Sequence, residues 1–152
     1  MTKVRGFQVV EKAYKKFTHN EIQLPVRSTS KSAGYDFFSN EDVEIGPGDE
    51  HKFFTDIKAY MLDGEVLKIY VRSSIAIKKH LQLKNLVGII DQDYFQNPDN
   101  DGNIIICLKN TSTIPVDIKK GERIAQGIFE KFLVADDDNT TTIRVGGVGS
   151  TN

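Results

Sequence analysis

The chain has 152 residues, of which 39% are hydrophobic and 27% are charged. This length suits one ordinary globular domain and is short for two. Its 20 Lys and Arg residues against 21 Asp and Glu residues give a formal net charge of −1, which argues against direct nucleic-acid binding through a generally basic surface.

No apolar stretch approaches ~18 residues, and the N-terminus lacks the continuous apolar core of a signal peptide. The lone Cys107, inside the run IIICL, has no partner for an internal disulfide and is expected to be a small buried hydrophobe. We therefore expect a cytoplasmic protein with no membrane partner.

The order of patterns along the chain predicts an all-β domain. Apolar residues mixed with Glu and Lys over residues 9–17 predict a short peripheral helix. From Val26 onward, short apolar or alternating runs separated by Gly, Pro, Asn or Asp predict the strands of a sandwich, jelly roll or barrel. A second helical turn is predicted at residues 74–80. The predicted strand runs are DVEI, HKFFTDIKAYM, VLKIYV, NLVGII, NIIICLKN, VDI and RIAQGIFEKFLV.

The most informative segment is NLVGIIDQDY, residues 85–94, because an apolar run delivers two carboxylates and a ring into one turn. Its aliphatic residues favour a strand in a hairpin, and Gly88 leaves room for a backbone or a flat ligand. Asp91, Asp93 and Tyr94 then precede the turn-forming loop FQNPDNDG. On spacing alone, acidic residues that only face water and a core aromatic at Tyr94 are the more ordinary interpretation.

The tail RVGGVGSTN differs in kind, because three glycines in four positions cannot pack a core and are costly to order. It is either a frayed end or an arm that closes over a ligand. The chain is thus predicted to contain one domain over residues 1–143 and a flexible Gly-rich arm over residues 144–152.

Five segments together carry a family resemblance: AGYDF at 33–37, VRSSIA at 71–76, NLVGIIDQDY at 85–94, GERIAQ at 121–126 and RVGGVGST at 144–151. In content and order they resemble the trimeric deoxyuridine triphosphate nucleotidohydrolases (dUTPases), in their bacterial and phage branch. The resemblance implies a β-jelly roll (β-clip) with one or two short helices and a homotrimer with shared active sites. It also implies hydrolysis of dUTP to dUMP and pyrophosphate with Mg²⁺.

The resemblance implies roles for single residues. Asp91 is expected to orient and deprotonate the water that attacks the α-phosphate, and Gln126 to help fix that water. Asp36 is expected to hold Mg²⁺ through water, which suits an ion that loses its waters reluctantly. The residues expected to bind substrate are Arg72, Ser73, Ser74, Asn85, Gly88, Ile90, Tyr94, Arg144, Val148, Gly149, Ser150 and Thr151.

Within that set, Asn85 and the backbone near Gly88 and Ile90 are expected to read uracil. The Tyr94 ring is expected to pack on deoxyribose and exclude a 2′-hydroxyl by a clash. Arg72, Ser73 and Ser74 are expected to cradle phosphates.

Arg144 is expected to reach the γ-phosphate, while Val148 stands where a Phe commonly covers uracil. The resemblance takes the Asp36, Arg72 and Gln126 segments from one subunit, the hairpin from a second and the arm from a third. It suggests no role for Asp93 or for the loop at residues 96–102.

Two alternatives stay open at this stage. A dCTP deaminase on the same fold shares an Arg-Ser-Ser segment but lacks a GIIDxDY hairpin. A dUTPase-like phage or bacterial regulator that acts by binding a partner is left open by Val148, because valine cannot stack on a base.

Overall fold

The computed structural model describes residues 1–149 and 151. Runs rich in β-branched and aromatic residues form twelve strands within that part of the chain, interrupted by the helix α1 (Ser73–Lys79) and by 3₁₀ turns at Lys12–Tyr14 and Gln92–Tyr94. The strands are β1 (Gly6–Val9), β2 (Val26–Arg27), β3 (Tyr35–Phe38), β4 (Val43–Ile45), β5 (Glu50–Phe54), β6 (Ile57–Tyr60), β7 (Glu65–Val71), β8 (Leu81–Leu83), β9 (Gly88–Ile90), β10 (Ile105–Asn110), β11 (Val116–Ile118) and β12 (Arg123–Lys131). The predicted mostly-β architecture and the second helix are confirmed.

The largest sheet has the order β2-β3-β12-β7-β9, and a second sheet has the order β5-β10-β8. Two further pairs, β1 with β6 and β11 with β4, complete the pairing within the described residues. All these pairs are antiparallel. In the largest sheet Gln126 lies opposite Asp36, and Gly88 lies opposite Ile69. The sheet register therefore fixes the positions of three predicted site residues.

Both larger sheets bury their apolar side chains in one core. Phe37, Leu67 and Ile124 come from the five-stranded sheet, and Ile106 and Leu108 from the three-stranded one, all of them almost inaccessible to solvent. Packing of two antiparallel sheets over a common core agrees with the predicted jelly roll. No helix among residues 1–149 and 151 is long and apolar enough to cross a membrane.

The predicted helix at residues 9–17 is wrong. Val9 ends β1, which pairs with β6, and only a 3₁₀ turn at Lys12–Tyr14 follows. The buried Asp56 carboxylate accepts the backbone N–H groups of Lys16 (2.9 Å) and Phe17 (2.8 Å). These long-range bonds satisfy amides that a helix would have used internally, so tertiary contacts override the local pattern.

In two predicted strand runs a turn replaces part of the strand. HKFFTDIKAYM is divided into β5 and β6 because Asp56 adopts φ +56° and turns the chain. In NLVGII only Gly88–Ile90 is a strand, since Leu86 has φ +65° and Val87 donates to the Asn85 carbonyl in a tight turn. β8 pairs with β10 and β9 with β7, so the expected local hairpin ladder is absent from the described pairs.

Candidate active site

A cavity of about 480 Å³ lies between the segment 85–94 and the C-terminal arm. We call residues 85–94 the hairpin segment, and residues 144–149 with 151 the arm. Predicted substrate or catalytic residues that line the cavity are Asn85, Gly88, Ile90, Asp91 and Tyr94 from the hairpin segment and Arg144, Val148, Gly149 and Thr151 from the arm. Ser150, also predicted, lies outside the described residues.

The floor of the cavity is apolar and close to the backbone of β9. Ile69, Leu83 and Ile105 line it. A Cβ atom added to Gly88 would lie 3.0 Å from the Ile69 Cβ, so this position is already closely packed on the β7 side. Apolar walls with a few polar groups are typical of small-molecule binding sites.

Tyr94 forms one wall and is itself fixed from behind. Its side chain is buried, its hydroxyl donates to the Asn103 carbonyl (2.7 Å), and the same oxygen accepts from Asn100 Nδ2 (2.8 Å). Burial raises the pKa of the Tyr94 phenol, so the hydroxyl stays protonated and keeps donating at neutral pH. The core-aromatic interpretation therefore holds for this ring, which also lines the cavity.

Asp91 lines the cavity, Asp93 follows two residues later, and each side chain is 54% exposed. Arg144 joins them: its Nη2 donates to Asp91 Oδ2 and its Nε to Asp93 Oδ1, both at 2.7 Å. The guanidinium lies 5.8 Å from the Tyr94 ring centre, within the range of a cation–π contact. Asp93, for which the sequence suggested no role, thus contacts the arm.

The arm packs on the chain that carries it. Gly146 and Gly147 are buried, and the Gly147 N–H donates to Asp99 Oδ2 at 2.8 Å. A Cβ atom at Gly147 would lie 3.1 Å from Asn100 Nδ2, a tighter contact than most Cβ atoms make. The described arm therefore makes specific hydrogen bonds, in this single chain to its own residues 91, 93 and 99. The expectation that it serves another subunit in the trimer stays a prediction.

A second group of predicted residues surrounds Asp36, which is buried rather than solvent-facing. Its Oδ1 lies 3.0 Å from Arg72 Nε and its Oδ2 lies 3.5 Å from Arg123 Nη1. Ser28 Oγ also donates to Asp36 Oδ2 at 2.7 Å. We call Ser28, Asp36, Arg72, Arg123 and Gln126 the phosphate-side cluster. Sequence reasoning missed Ser28 and Arg123, although Arg123 lies inside GERIAQ.

Gln126 projects from β12 beside this cluster, where its Nε2 donates weakly to the Val71 carbonyl (3.5 Å). Its side chain lies directly over Gly34, so closely that a Cβ atom at residue 34 would overlap it. Ser73 and Ser74 form the first turn of α1, and Ser73 is exposed.

The predicted site is divided between two places in one chain. Asp36, Arg72, Ser73, Ser74 and Gln126 are all absent from the lining of the cavity. In the described part of the chain, no group of three or more His, Cys, Asp or Glu side chains is arranged to hold a metal ion.

Cys107 is a further correction, because it is half-buried and lines the cavity instead of lying in the core. Burial raises the pKa of its thiol.

Comparisons with known proteins identify the family of this chain. The dUTPase family model matches residues 20–152. The deoxyuridine 5′-triphosphate nucleotidohydrolase of Lactococcus lactis subsp. lactis (strain IL1403) is 48% identical over 151 residues, 98% of each chain. The dUTPase crystal structure from Streptococcus mutans is 42% identical and superposes with a TM-score of 0.75 over 86% of this chain and 98% of that one.

A more distant structure, a dUTPase variant from phage phi11 of S. aureus described as showing coordination of a structural Mg(II) ion, shares the fold. It is 20% identical and has a TM-score of 0.70 over 92% of this chain and 98% of its own. The family model covers most of the chain and the bacterial relatives match it nearly throughout, so this chain belongs to the dUTPase family.

Proposed function

We propose that this dUTPase hydrolyses dUTP to dUMP and pyrophosphate by attack of water on the α-phosphorus, with Asp91 orienting the water and accepting its proton. The new bond joins the water oxygen to the α-phosphorus, and the bond from that phosphorus to the bridging oxygen breaks. The observation that carries this assignment is the exposed Asp91 carboxylate at the mouth of a base-sized cavity. A carboxylate within reach of the attacking water is the requirement for general-base catalysis.

Selection of base and sugar is assigned to the cavity walls. Backbone groups near Gly88 and Ile90, with the Asn85 amide, offer donors and acceptors to uracil at the apolar floor. The Tyr94 ring is held rigidly by its hydroxyl bonds, so it cannot move aside for a ribose 2′-hydroxyl.

The phosphate-side cluster is assigned to the triphosphate. The two guanidinium groups of Arg72 and Arg123 face one carboxylate, that of Asp36. The cluster therefore keeps a net positive charge that can bind phosphate oxygens. Arg72, Ser73 and Ser74 supply donors at the start of α1, and Gln126 supplies an amide next to them. Positioned donors of this kind stabilise the charge that develops on the α-phosphate.

We further propose that the complete site forms in a homotrimer. Support comes from the absence of the phosphate-side cluster from the cavity lining, because one nucleotide must touch both. Leu86 and Ile89, beside the cavity, are more than half exposed and are suited to burial between subunits. Native mass spectrometry is expected to give three times the 17.1 kDa of one chain, and a monomer that turns over dUTP would contradict the shared site.

A magnesium ion fits this site when it arrives with the substrate. Both Asp36 oxygens already have arginine partners, so the carboxylate is not free to form part of a metal cage. Asp36 would hold Mg²⁺ through water, and the ion would neutralise phosphate charge. Removal of Mg²⁺ by a chelator is expected to stop turnover, and added Mg²⁺ to restore it.

The arm is assigned to closure over the bound nucleotide. Arg144 is the only cationic residue in the described part of the arm. It lines the cavity together with Val148, Gly149 and Thr151. Exclusion of water strengthens the electrostatic contacts around the α-phosphate. Contact of Arg144 with the γ-phosphate stays a prediction, as does any role for Ser150. Cytoplasmic location also stays a prediction, supported by the free Cys107.

The decisive experiment compares four nucleotide substrates and then tests the Asp91→Asn variant. Purified protein with Mg²⁺ is incubated with dUTP, dCTP, dTTP and UTP, and pyrophosphate is followed. Turnover of dUTP alone is expected. Release of ammonia from dCTP would indicate a deaminase, and dUTP binding without turnover would indicate a regulator.

The Asp91→Asn variant is expected to lose about 10²- to 10⁴-fold in kcat. Asp63→Asn, an exposed Asp in a distant turn, is the matched control, and a near-normal rate in Asp91→Asn would refute the assignment.

A further inference from the structure

We propose that the loop at residues 96–102, for which the sequence suggested no role, supports the Tyr94 ring and thereby sets the discrimination between deoxyribose and ribose. We call this segment the support loop. Its positioning residues are Asn97 and the buried ion pair of Lys58 with Asp101, none of which lines the cavity. The proposal rests on the function assigned to the Tyr94 ring above, exclusion of a 2′-hydroxyl.

The support loop packs on the main chain of Tyr94. Asn97 Nδ2 donates to the Tyr94 carbonyl at 2.8 Å, and the Asn97 backbone N–H donates to the same carbonyl at 3.3 Å. A Cβ atom added to Gly102 would lie 2.8 Å from that carbonyl oxygen, and Gly102 has φ +89°, so a side chain there would force the backbone to shift. Because these contacts are to the main chain, they position the ring independently of its hydroxyl.

The support loop is also closed on itself. The Asp101 carbonyl accepts the Gln96 N–H at 3.1 Å, and the Asp101 N–H donates to the Asn97 carbonyl at 2.9 Å. Asn97 Oδ1 accepts two backbone N–H groups of the turn between them, at 3.0 and 3.3 Å. A loop closed in this way moves as one body, so the contacts that fix Asp101 also fix the position of Tyr94.

Lys58 fixes Asp101 from the core of the domain. Its Nζ lies 2.8 Å from Asp101 Oδ2, and the two side chains are only 2% and 7% exposed. The same Nζ lies 5.2 Å from the centre of the Phe95 ring, so one ammonium group contacts residues on both sides of the support loop. Asp101 Oδ2 also accepts the Glu11 N–H at 2.7 Å. These contacts join the support loop to β6 and to the segment that follows β1.

The ion pair of Lys58 with Asp101 is better suited to fixing a position than to adding stability. Both charges lose their hydration on burial, so replacement of such a pair by apolar residues of similar volume is often neutral or stabilising. An ammonium group must, however, keep its carboxylate partner, and this requirement gives the support loop one anchored position. A fixed position matters for Tyr94, since ribose differs from deoxyribose by a single oxygen atom.

The first test neutralises the anchor without leaving one buried charge unpaired. The double variant Lys58→Met/Asp101→Asn removes both charges, and asparagine keeps an acceptor oxygen and tolerates the φ of +59° at residue 101. Values of kcat and KM are measured for dUTP and UTP with Mg²⁺. We expect kcat for dUTP within about 2-fold of wild type and an about 10-fold fall in the ratio of kcat/KM for dUTP over UTP, part of the about 10²-fold available against an added hydroxyl. An unchanged ratio would overturn the proposal.

The second test removes a contact to Tyr94 and leaves the buried ion pair intact, so it applies even if the pair is required for folding. Asn97→Asp keeps the acceptor Oδ1 but loses the Nδ2 donor, which serves the Tyr94 carbonyl and Asn100 Oδ1. A carboxylate oxygen facing that carbonyl repels it. The same about 10-fold fall in the ratio is expected, with kcat for dUTP little changed. Wild-type discrimination in Asn97→Asp would contradict the role of the support loop.

Two control variants separate positioning from general loosening. Lys68→Met/Glu130→Gln removes a 3.1 Å ion pair whose partners lie outside the cavity lining, and Ile118→Ala leaves a cavity in the core beside β11. Both should keep the wild-type ratio of kcat/KM, although Ile118→Ala lowers the Tm. A fall in either control as large as in Lys58→Met/Asp101→Asn would show that lost stability alone admits UTP, which overturns the proposal.

Hydrogen exchange gives a measurement that does not depend on activity. Amide exchange in the peptide covering residues 94–103 is followed by mass spectrometry in the wild type, in Lys58→Met/Asp101→Asn and in Lys68→Met/Glu130→Gln. At least about 10-fold faster exchange is expected in the first variant only, because local opening reports local stability. Exchange as slow as in the wild type would mean that the ion pair does not hold the support loop, against the proposal.

Tyr94→Leu separates a failure of this proposal from a failure of the proposed function. If Tyr94→Leu still rejects UTP, the ring is not the wall that excludes ribose, and the function assigned to it fails. If Tyr94→Leu admits UTP while Asn97→Asp and Lys58→Met/Asp101→Asn reject it as the wild type does, the wall is retained and only the role of the support loop is overturned.

Discussion

At Tyr94 the contribution to stability and the contribution to substrate selection can be tested separately, because the hydroxyl and the ring face different partners. The hydroxyl is bonded to Asn103 and Asn100 away from the ligand, while the ring lines the cavity. Tyr94→Phe removes the hydroxyl and keeps the ring. We therefore expect a loss of stability without a loss of discrimination between dUTP and UTP.

The size of the stability loss follows from the two polar groups that lose their hydrogen-bond partner in Tyr94→Phe. The Asn103 carbonyl belongs to a buried residue and the Asn100 amide to a half-buried one, and a buried polar group without a partner costs about 1–3 kcal/mol. Each kcal/mol lowers the Tm of a domain of this size by about 2–4 °C.

Because burial raises the pKa of Tyr94 above its ordinary 10.0, the protonated phenol stabilises the fold below that pH. This contribution is lost as pH rises through the folded-state pKa. The deficit of the Phe variant should therefore shrink in strongly alkaline solution.

The assay is thermal unfolding at one protein concentration, together with kcat/KM for dUTP and UTP. Tyr70→Phe is the matched control, because its hydroxyl makes only a 3.5 Å contact to Glu130 and should change little. Tyr94→Leu removes the ring and should admit UTP. If Tyr94→Phe hydrolyses UTP as readily as Tyr94→Leu does, the hydroxyl and not the ring excludes ribose. If its Tm equals that of the wild type, the hydrogen-bond account is wrong.

Three further predictions follow from single contacts. Gly34→Ala places a methyl group against Gln126 and should lower kcat/KM by about 10- to 100-fold, the cost of an ångström-scale misplacement of that side chain. The double variant Gly34→Ala/Gln126→Ala should regain stability but not activity. Val148→Phe should lower KM, since base stacking contributes about 1–3 kcal/mol, whereas Val145→Phe, equally exposed but outside the cavity lining, should not. His80→Gly should raise the free energy of unfolding by about 1 kcal/mol, because His80 ends α1 at φ +53°; Lys78→Gly, inside the same helix, should lower it by a similar amount.

The strands and α1 could be predicted because their signals are local: alternating apolar residues and turn-forming residues lie within a few positions of each other. The secondary-structure predictions are wrong where contacts other than the local sequence pattern determine the backbone conformation. Residues 9–17 follow Asp56 instead of their own pattern, and residues 85–87 turn although their side chains favour a strand. Leu86 is 64% exposed and Val87 37% exposed there, so burial gives them little reason to remain extended.

For the site, motif residues that touch the cavity could be predicted, whereas the residues that hold them could not. Asp93 and Asp99 contact Arg144 and Gly147, about fifty positions later in the chain. Arg123 and Ser28 matter only because the sheet brings them to the Asp36 carboxylate. Such roles depend on tertiary pairing, and no local spacing encodes it.

The contact between Arg144 and Asp91 bears on the proposed chemistry. Arg144 Nη2 donates to Asp91 Oδ2 at 2.7 Å, so this guanidinium contacts the carboxylate that is proposed to orient the attacking water. A triphosphate that binds Arg144 would compete for the same donors, because it carries greater negative charge. On the proposed function, substrate binding would therefore remove one partner of Asp91 where the attacking water must reach it.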